Sequence, residues 1–146
     1  MTPPTGPSGS TGPPDRQTLR LLEGHLADDP LVRETRFEPG PQDLRVLRAE
    51  LDTDQYPQFI DHARLDIRWF TSGDFSMQYL ERHADETHWE CRWDRHPNAH
   101  NSRTHFHRPP DGNPVEDLSL PTHPLETYSV VFEALDRRIE QAWSDQ

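Results

Sequence analysis

The sequence predicts an α+β fold: an antiparallel meander sheet covered on its apolar face by a C-terminal helix, with another helix at the N-terminus. Three observations carry the prediction. Apolar and polar residues alternate through Ala63/Leu65/Ile67/Trp69, Phe75/Met77/Tyr79 and Trp89/Cys91/Trp93, the period-two pattern of half-buried strands. These runs are joined by loops too short for anything but antiparallel neighbours. Downstream, Leu125, Tyr128, Phe132, Leu135, Ile139 and Trp143 recur at helical spacing, giving an apolar stripe that needs a surface to cover.

Taken in order, residues 1–14 (MTPPTGPSGSTGPP) hold five prolines and three glycines. Such a segment cannot bury enough surface to offset its ordering entropy and is expected to be a disordered tail. A single α+β domain is expected over 15–146, because a chain of 146 residues supports one core. Asp15 can cap a helix running to about Ala27, with Leu19, Leu22 and Leu26 on one face and Asp28-Asp29-Pro30 closing it. Leu31–Glu38 and Leu44–Leu51, separated by Glu38-Pro39-Gly40-Pro41, are read as two further strands, and Asp52–Ile60 as a connector.

The strand registers follow from parity. Opposed residues of an antiparallel pair share a face, so two odd-numbered apolar sets meet across a loop with an odd number of residues. Thr71-Ser72-Gly73 is a three-residue hairpin loop with glycine where a left-handed residue is required. The next loop is expected to span Arg82 to Glu86. This predicts apolar rows Trp69/Phe75/Trp93, Ile67/Met77/Cys91 and Leu65/Tyr79/Trp89. On the opposite face it predicts a polar row Arg68/Ser76/Arg92. Asp111–Pro121 is turn-rich, and the C-terminal helix is expected to begin near His123 with Pro124 in its first turn.

Composition bounds the setting. One cysteine excludes an intrachain disulfide framework, no apolar run approaches a membrane span, and a cytoplasmic protein without membrane partners is expected. All fifteen basic side chains are arginine, against 26 acids. This complete exclusion of lysine at a formal charge of −11 points to a halophilic source, where hydrated carboxylates keep surfaces soluble in strong salt.

Against that background Cys91–Pro110 (CRWDRHPNAHNSRTHFHRPP) stands out. It carries His96, His100, His105 and His107 with Arg92, Arg95, Arg103 and Arg108, and Asp94 as its one acid. Four readings are open. Four imidazoles could converge on a metal ion, although no CxxC or HExxH spacing accompanies them and no metal or cofactor is expected. Metal-independent RNA cleavage needs a base, an acid and fixed cations at the phosphate. Here the candidate catalytic residues are His105, His107, His100, His96 and Glu90, and the candidate substrate-binding residues are Arg68, Arg92, Arg95 and Arg103. A binding module for protein or nucleic acid would use the same surface without cleavage. Plain hydrogen bonding of a Pro/Asn-rich loop is the fourth.

A three-strand meander ending in an Arg-aromatic-Asp step, then Pro, His and a Thr/Phe/His cluster, then a C-terminal helix, resembles the TumE-type toxins of toxin–antitoxin pairs. That family shows a run of the form RYDNxPHH followed by FPHHxH. Arg92-Trp93-Asp94 match the first step, Pro97 and His100 fall near the PHH position, and Thr104-His105-Phe106-His107 resembles the second cluster. Arg95 stands where the family has Asn, and HFH replaces PHHxH. The resemblance spans about residues 62–142. It implies a toxin with a cognate antitoxin as partner and RNA as the substrate of a presumed nuclease.

Overall fold

The computed structural model describes residues 12–96 and 104–146. Helix α1 (Arg16–Ala27) leads into strands β1 (Val32–Gly40), β2 (Asp43–Leu51), β3 (Ile60–Trp69), β4 (Phe75–His83), β5 (His88–Arg95), β6 (Thr104–His107) and β7 (Val115–Asp117), and helix α2 (Pro124–Ser144) closes the chain. The seven strands form one sheet in sequence order, every neighbouring pair antiparallel. The α+β meander is therefore present, with two strands more than the alternation indicates. Strands β6 and β7 are too short for period two to show above the turn-rich composition around them.

Helix α1 starts where its cap dictates: Asp15 accepts hydrogen bonds from the Thr18 amide at 3.0 Å and the Thr18 hydroxyl at 2.9 Å, satisfying a donor that the first turn leaves open. Its Leu19, Leu22 and Leu26 are completely buried. Helix α2 begins with Pro124 in its first turn behind His123. Both helices lie on the face formed by Leu47, Ala49, Leu65, Ile67, Met77 and Tyr79. None of the helices among the described residues is long and apolar enough to cross a membrane. Just before α1, the Asp15 amide donates to Trp69 O and the Thr71 amide to Pro13 O, so the start of the described chain runs along the β3–β4 hairpin.

That hairpin has the expected register, Trp69 opposite Phe75 and Arg68 opposite Ser76, with Gly73 at φ 91°. The β4–β5 register differs from the expected one by two residues: Met77 faces Trp93 and Tyr79 faces Cys91. The strands continue through His83, whose amide donates to Thr87 O, and the turn tightens to three residues with Glu86 at φ 70°. An even slip preserves each strand's faces, so the core composition holds. The polar row becomes Arg68/Ser76/Asp94, with Arg92 one row further along, opposite Gln78.

The extended end of β4 carries a charge into the core. Continuing the alternation past Tyr79 brings Glu81 onto the apolar face, 1% exposed, where Arg138 of α2 meets it with Nε and Nη2 each 2.8 Å from a carboxylate oxygen. The Tyr79 hydroxyl donates to the same carboxylate at 2.7 Å, His83 Nε2 lies 2.8 Å from it, and Tyr56 bonds Tyr79 at 2.9 Å. Burial pushes the Glu81 carboxyl up, but hydrogen bonds from Arg138, Tyr79 and His83 outweigh it and hold the group below its ordinary value. The Arg138 guanidinium also rests 4.0 Å over the Trp89 ring, a cation–π contact. The buried face of α2 is accordingly centred on Thr127, Val131, Leu135, Arg138 and Ala142, rotated from the expected stripe and leaving Trp143 46% exposed.

Candidate functional site

Strand alternation puts His88, Glu90, Arg92 and Asp94 on the face of β5 that neither helix covers. Pairing with β6 sets His107 opposite Arg92 and His105 opposite Asp94, and β7 adds Asp117 opposite His105. Opposed residues share a face. The polar side at this end of the sheet therefore gathers Arg68, Ser76, Asp94, His105 and Asp117 in one row, with Gln78, Arg92 and His107 in the next.

Asp94 is the hub and is buried at 6% exposure. Its Oδ2 lies 2.9 Å from His107 Nε2 and 3.1 Å from Arg92 Nε. Its Oδ1 faces His96 Nδ1 at 3.4 Å and His105 Nδ1 at 3.7 Å, and His105 Nε2 faces Asp117 Oδ1 at 3.5 Å. Arg92 Nη2 also sits against the His107 ring, 3.0 Å from Nε2 and 3.4 Å from Nδ1. A guanidinium only donates and an ionised carboxylate only accepts, so Arg92 and Asp94 compete for Nε2; in the tautomer that gives the Nε2 proton to Asp94, the lone pair is left on Nδ1. Burial pushes the His107 imidazole below its ordinary value; Asp94 works against this and Arg92 with it. A depression of about 460 Å³ opens here, lined by Ser76, Arg92, Asp94, His96 and His107 among others. Along the same face a second one of about 420 Å³ lies at His62, Arg64, Leu80 and His88.

The expected site residues separate into groups. His96, His105 and His107 converge on Asp94, with Arg92 among them. Glu90 lies on the same face two residues from Arg92, roughly 7 Å along the strand, and its amide donates to Pro110 O at 2.8 Å. Arg68 is exposed at the far end of the Ser76/Asp94 row. Arg95 alternates to the opposite face, where its guanidinium reaches Thr104 Oγ1 at 3.4 Å, Gly73 O at 3.4 Å and Pro121 O at 3.3 Å. It also lies over the Phe75 ring at 5.5 Å, holding loops together around the end of the sheet. His100 and Arg103 lie outside the described residues.

Sequence reasoning missed the central role of Asp94 and the presence of Asp117. For Asp94 the signal was available: it is the lone acid among four arginines, and alternation places it on the face of Arg92. Asp117 gave none, because its strand is three residues long. Trp93 and Phe106 pair at 5.1 Å between ring centroids on the apolar side. Trp93 is thus core, as favoured from its alternation, and Phe106 packs with it.

Among family models, the one described as Toxin TumE matches residues 22–141. Neither the comparison with curated proteins nor that with solved structures gives a match.

Proposed function

Because the chain belongs to the TumE toxin family, a toxin held in check by an antitoxin, we propose that its toxic activity is cleavage of RNA at the Asp94 cluster. The observation that carries the reading is the His107–Asp94–Arg92 constellation at the rim of an open depression. A carboxylate fixes one imidazole nitrogen and leaves the other basic, and a guanidinium lies alongside it. That is the geometry of a general base with an adjacent phosphate-binding cation.

His107 Nδ1 takes the proton of the ribose 2′-hydroxyl, and the 2′-oxygen forms a bond to phosphorus as the bond to the 5′-oxygen breaks. The departing oxygen takes its proton from water, leaving a 2′,3′-cyclic phosphate. Arg92, in reach of the same phosphate, stabilises the charge that builds on its non-bridging oxygens. Arg68, two strands away in the neighbouring row, binds the next phosphate along the strand. Asp94 is a positioning residue: it holds the His107 tautomer and does not touch the substrate. Glu90, His96 and His105 flank this pair without a proton-transfer role.

The test is incubation of mixed cellular RNA with the purified protein in molar KCl, followed by analysis of the new termini. Fragments ending in 2′,3′-cyclic phosphate are expected, slowed about 100-fold or more by His107→Ala. Intact RNA with the wild-type protein, or cleavage unchanged by His107→Ala, would refute the reading.

A further inference from the structure

The other half of the Asp94 carboxylate has no part in that chemistry, and it is unsatisfied. Among the described residues, Asp94 Oδ1 and His105 Nδ1 are both buried without a hydrogen-bond partner. They face each other at 3.7 Å, too far for a hydrogen bond. Both residues are 6% exposed, so water cannot compensate them freely, and two orphaned buried polar atoms side by side cost free energy unless something joins them.

The surroundings specify what that is. His105 Nε2 faces the Asp117 carboxylate at 3.5 Å, which favours the proton on Nε2 and turns the Nδ1 lone pair toward Asp94. His96 adds a third donor atom, with Nδ1 3.4 Å from Asp94 Oδ1. Its ring lies 4.9 Å from that of His105 at 31°. One ligand atom from each of the three residues lies within 4.8 Å of the other two. A tetrahedral ion with bonds of about 2.0–2.1 Å has ligand atoms about 3.3 Å apart, so the two measured edges are close to that value.

We infer that Asp94 Oδ1, His96 Nδ1 and His105 Nδ1 form a binding site for a divalent transition-metal ion of the zinc class. Two imidazoles and one carboxylate are a borderline donor set suited to zinc. The outer contacts are those that metal-bound residues use: Asp117 behind His105, and His107 with Arg92 behind the free oxygen of Asp94. This departs from the sequence-based expectation that no metal is bound. It goes beyond the proposed RNA chemistry and does not depend on it, since the ion sits on Oδ1 while His107 is held by Oδ2. Two of its ligands, His96 and His105, stand on either side of residues 97–103 in the chain. The ion therefore ties the end of β5 to the start of β6.

The experiment is a calorimetric titration of the untagged, chelator-stripped full chain with Zn²⁺, repeated with Co²⁺ to read its visible absorption. One saturable equivalent is expected, with the intense Co²⁺ bands of four-coordinate geometry. His96→Ala removes a ligand that is half-buried and outside the strands; it should weaken binding at least 100-fold. Asp117→Asn should weaken it about 10-fold, with circular dichroism spectra unchanged in both variants. His62→Ala and His88→Ala, one half-buried and one exposed histidine elsewhere on the face, should leave the affinity alone. Absence of a saturable equivalent in the wild-type chain, or affinity indifferent to His96→Ala, would overturn the inference. RNA cleavage is not the readout, so failure here and failure of the nuclease reading are distinguishable.

Discussion

Arg138→Met separates the cost of a broken buried ion pair from the worth of the pair itself. Glu81 is 1% exposed and Arg138 9%, and two hydrogen bonds of 2.8 Å join them. A charge-assisted hydrogen bond contributes about 1.5–3 kcal/mol, and stranding one partner of a buried pair costs about 3–5 kcal/mol. The Tyr79 and His83 contacts remain on the carboxylate, so the lower half of that range, about 3 kcal/mol at neutral pH, is expected for Arg138→Met. The sign with pH follows from the Glu81 carboxyl, held below its ordinary value in the folded chain. Its contribution is fully present above the unfolded carboxylate value of about 4.3 and is lost as pH falls through the lower folded value. Without Arg138 the same burial raises the folded value, so the penalty shrinks in acid as Glu81 is protonated. Urea unfolding at neutral and mildly acidic pH measures both. The double variant Glu81→Leu/Arg138→Met, apolar on both sides, should recover most of the loss. A loss under about 1 kcal/mol at neutral pH, or a double variant no better than Arg138→Met alone, would refute the reasoning.

Two further outcomes are expected. Gly73→Ala should destabilise by about 1 kcal/mol, since φ is 91° and nothing lies within 4 Å of the added carbon; unchanged urea stability would mean the hairpin turn relaxes. Cys91 is 4% exposed and burial pushes its thiol up to about 12, so a thiol reagent should label it only at the rate of unfolding, whereas rapid labelling of the folded chain would contradict that burial.

Much of the fold was legible because its signals are local. Asp15 before a leucine stripe gave α1 to the residue, and the Gly73 hairpin gave the β3–β4 register. The two runs after α1 read as strands are β1 and β2. For the site, the density of histidine and arginine in residues 91–110 located the region, and alternation in β6 put His105 and His107 on one face. The errors came where a distant partner decided. The loop expected to begin at Arg82 begins at residue 84 instead, and β4 runs on to His83; Glu81 is accommodated inside the core because Arg138, 57 positions away, neutralises it. That pair joins the end of β4 to α2, whose buried face is turned to present Arg138. Arg95, grouped by proximity with the site arginines, faces the other side because period two separates it from Arg92 and Asp94.

By itself, then, the sequence determined the order and type of its main elements, the two faces of each long strand, and the segment where chemistry-bearing side chains concentrate. These depend on periodicity and capping, which act within a few residues. Only the tertiary structure decided that Asp94 divides its two oxygens between His107 on one side and His96 with His105 on the other. That arrangement requires β6 to pair with β5 in one register, and register is set by burial and hydrogen bonding between segments far apart in the chain.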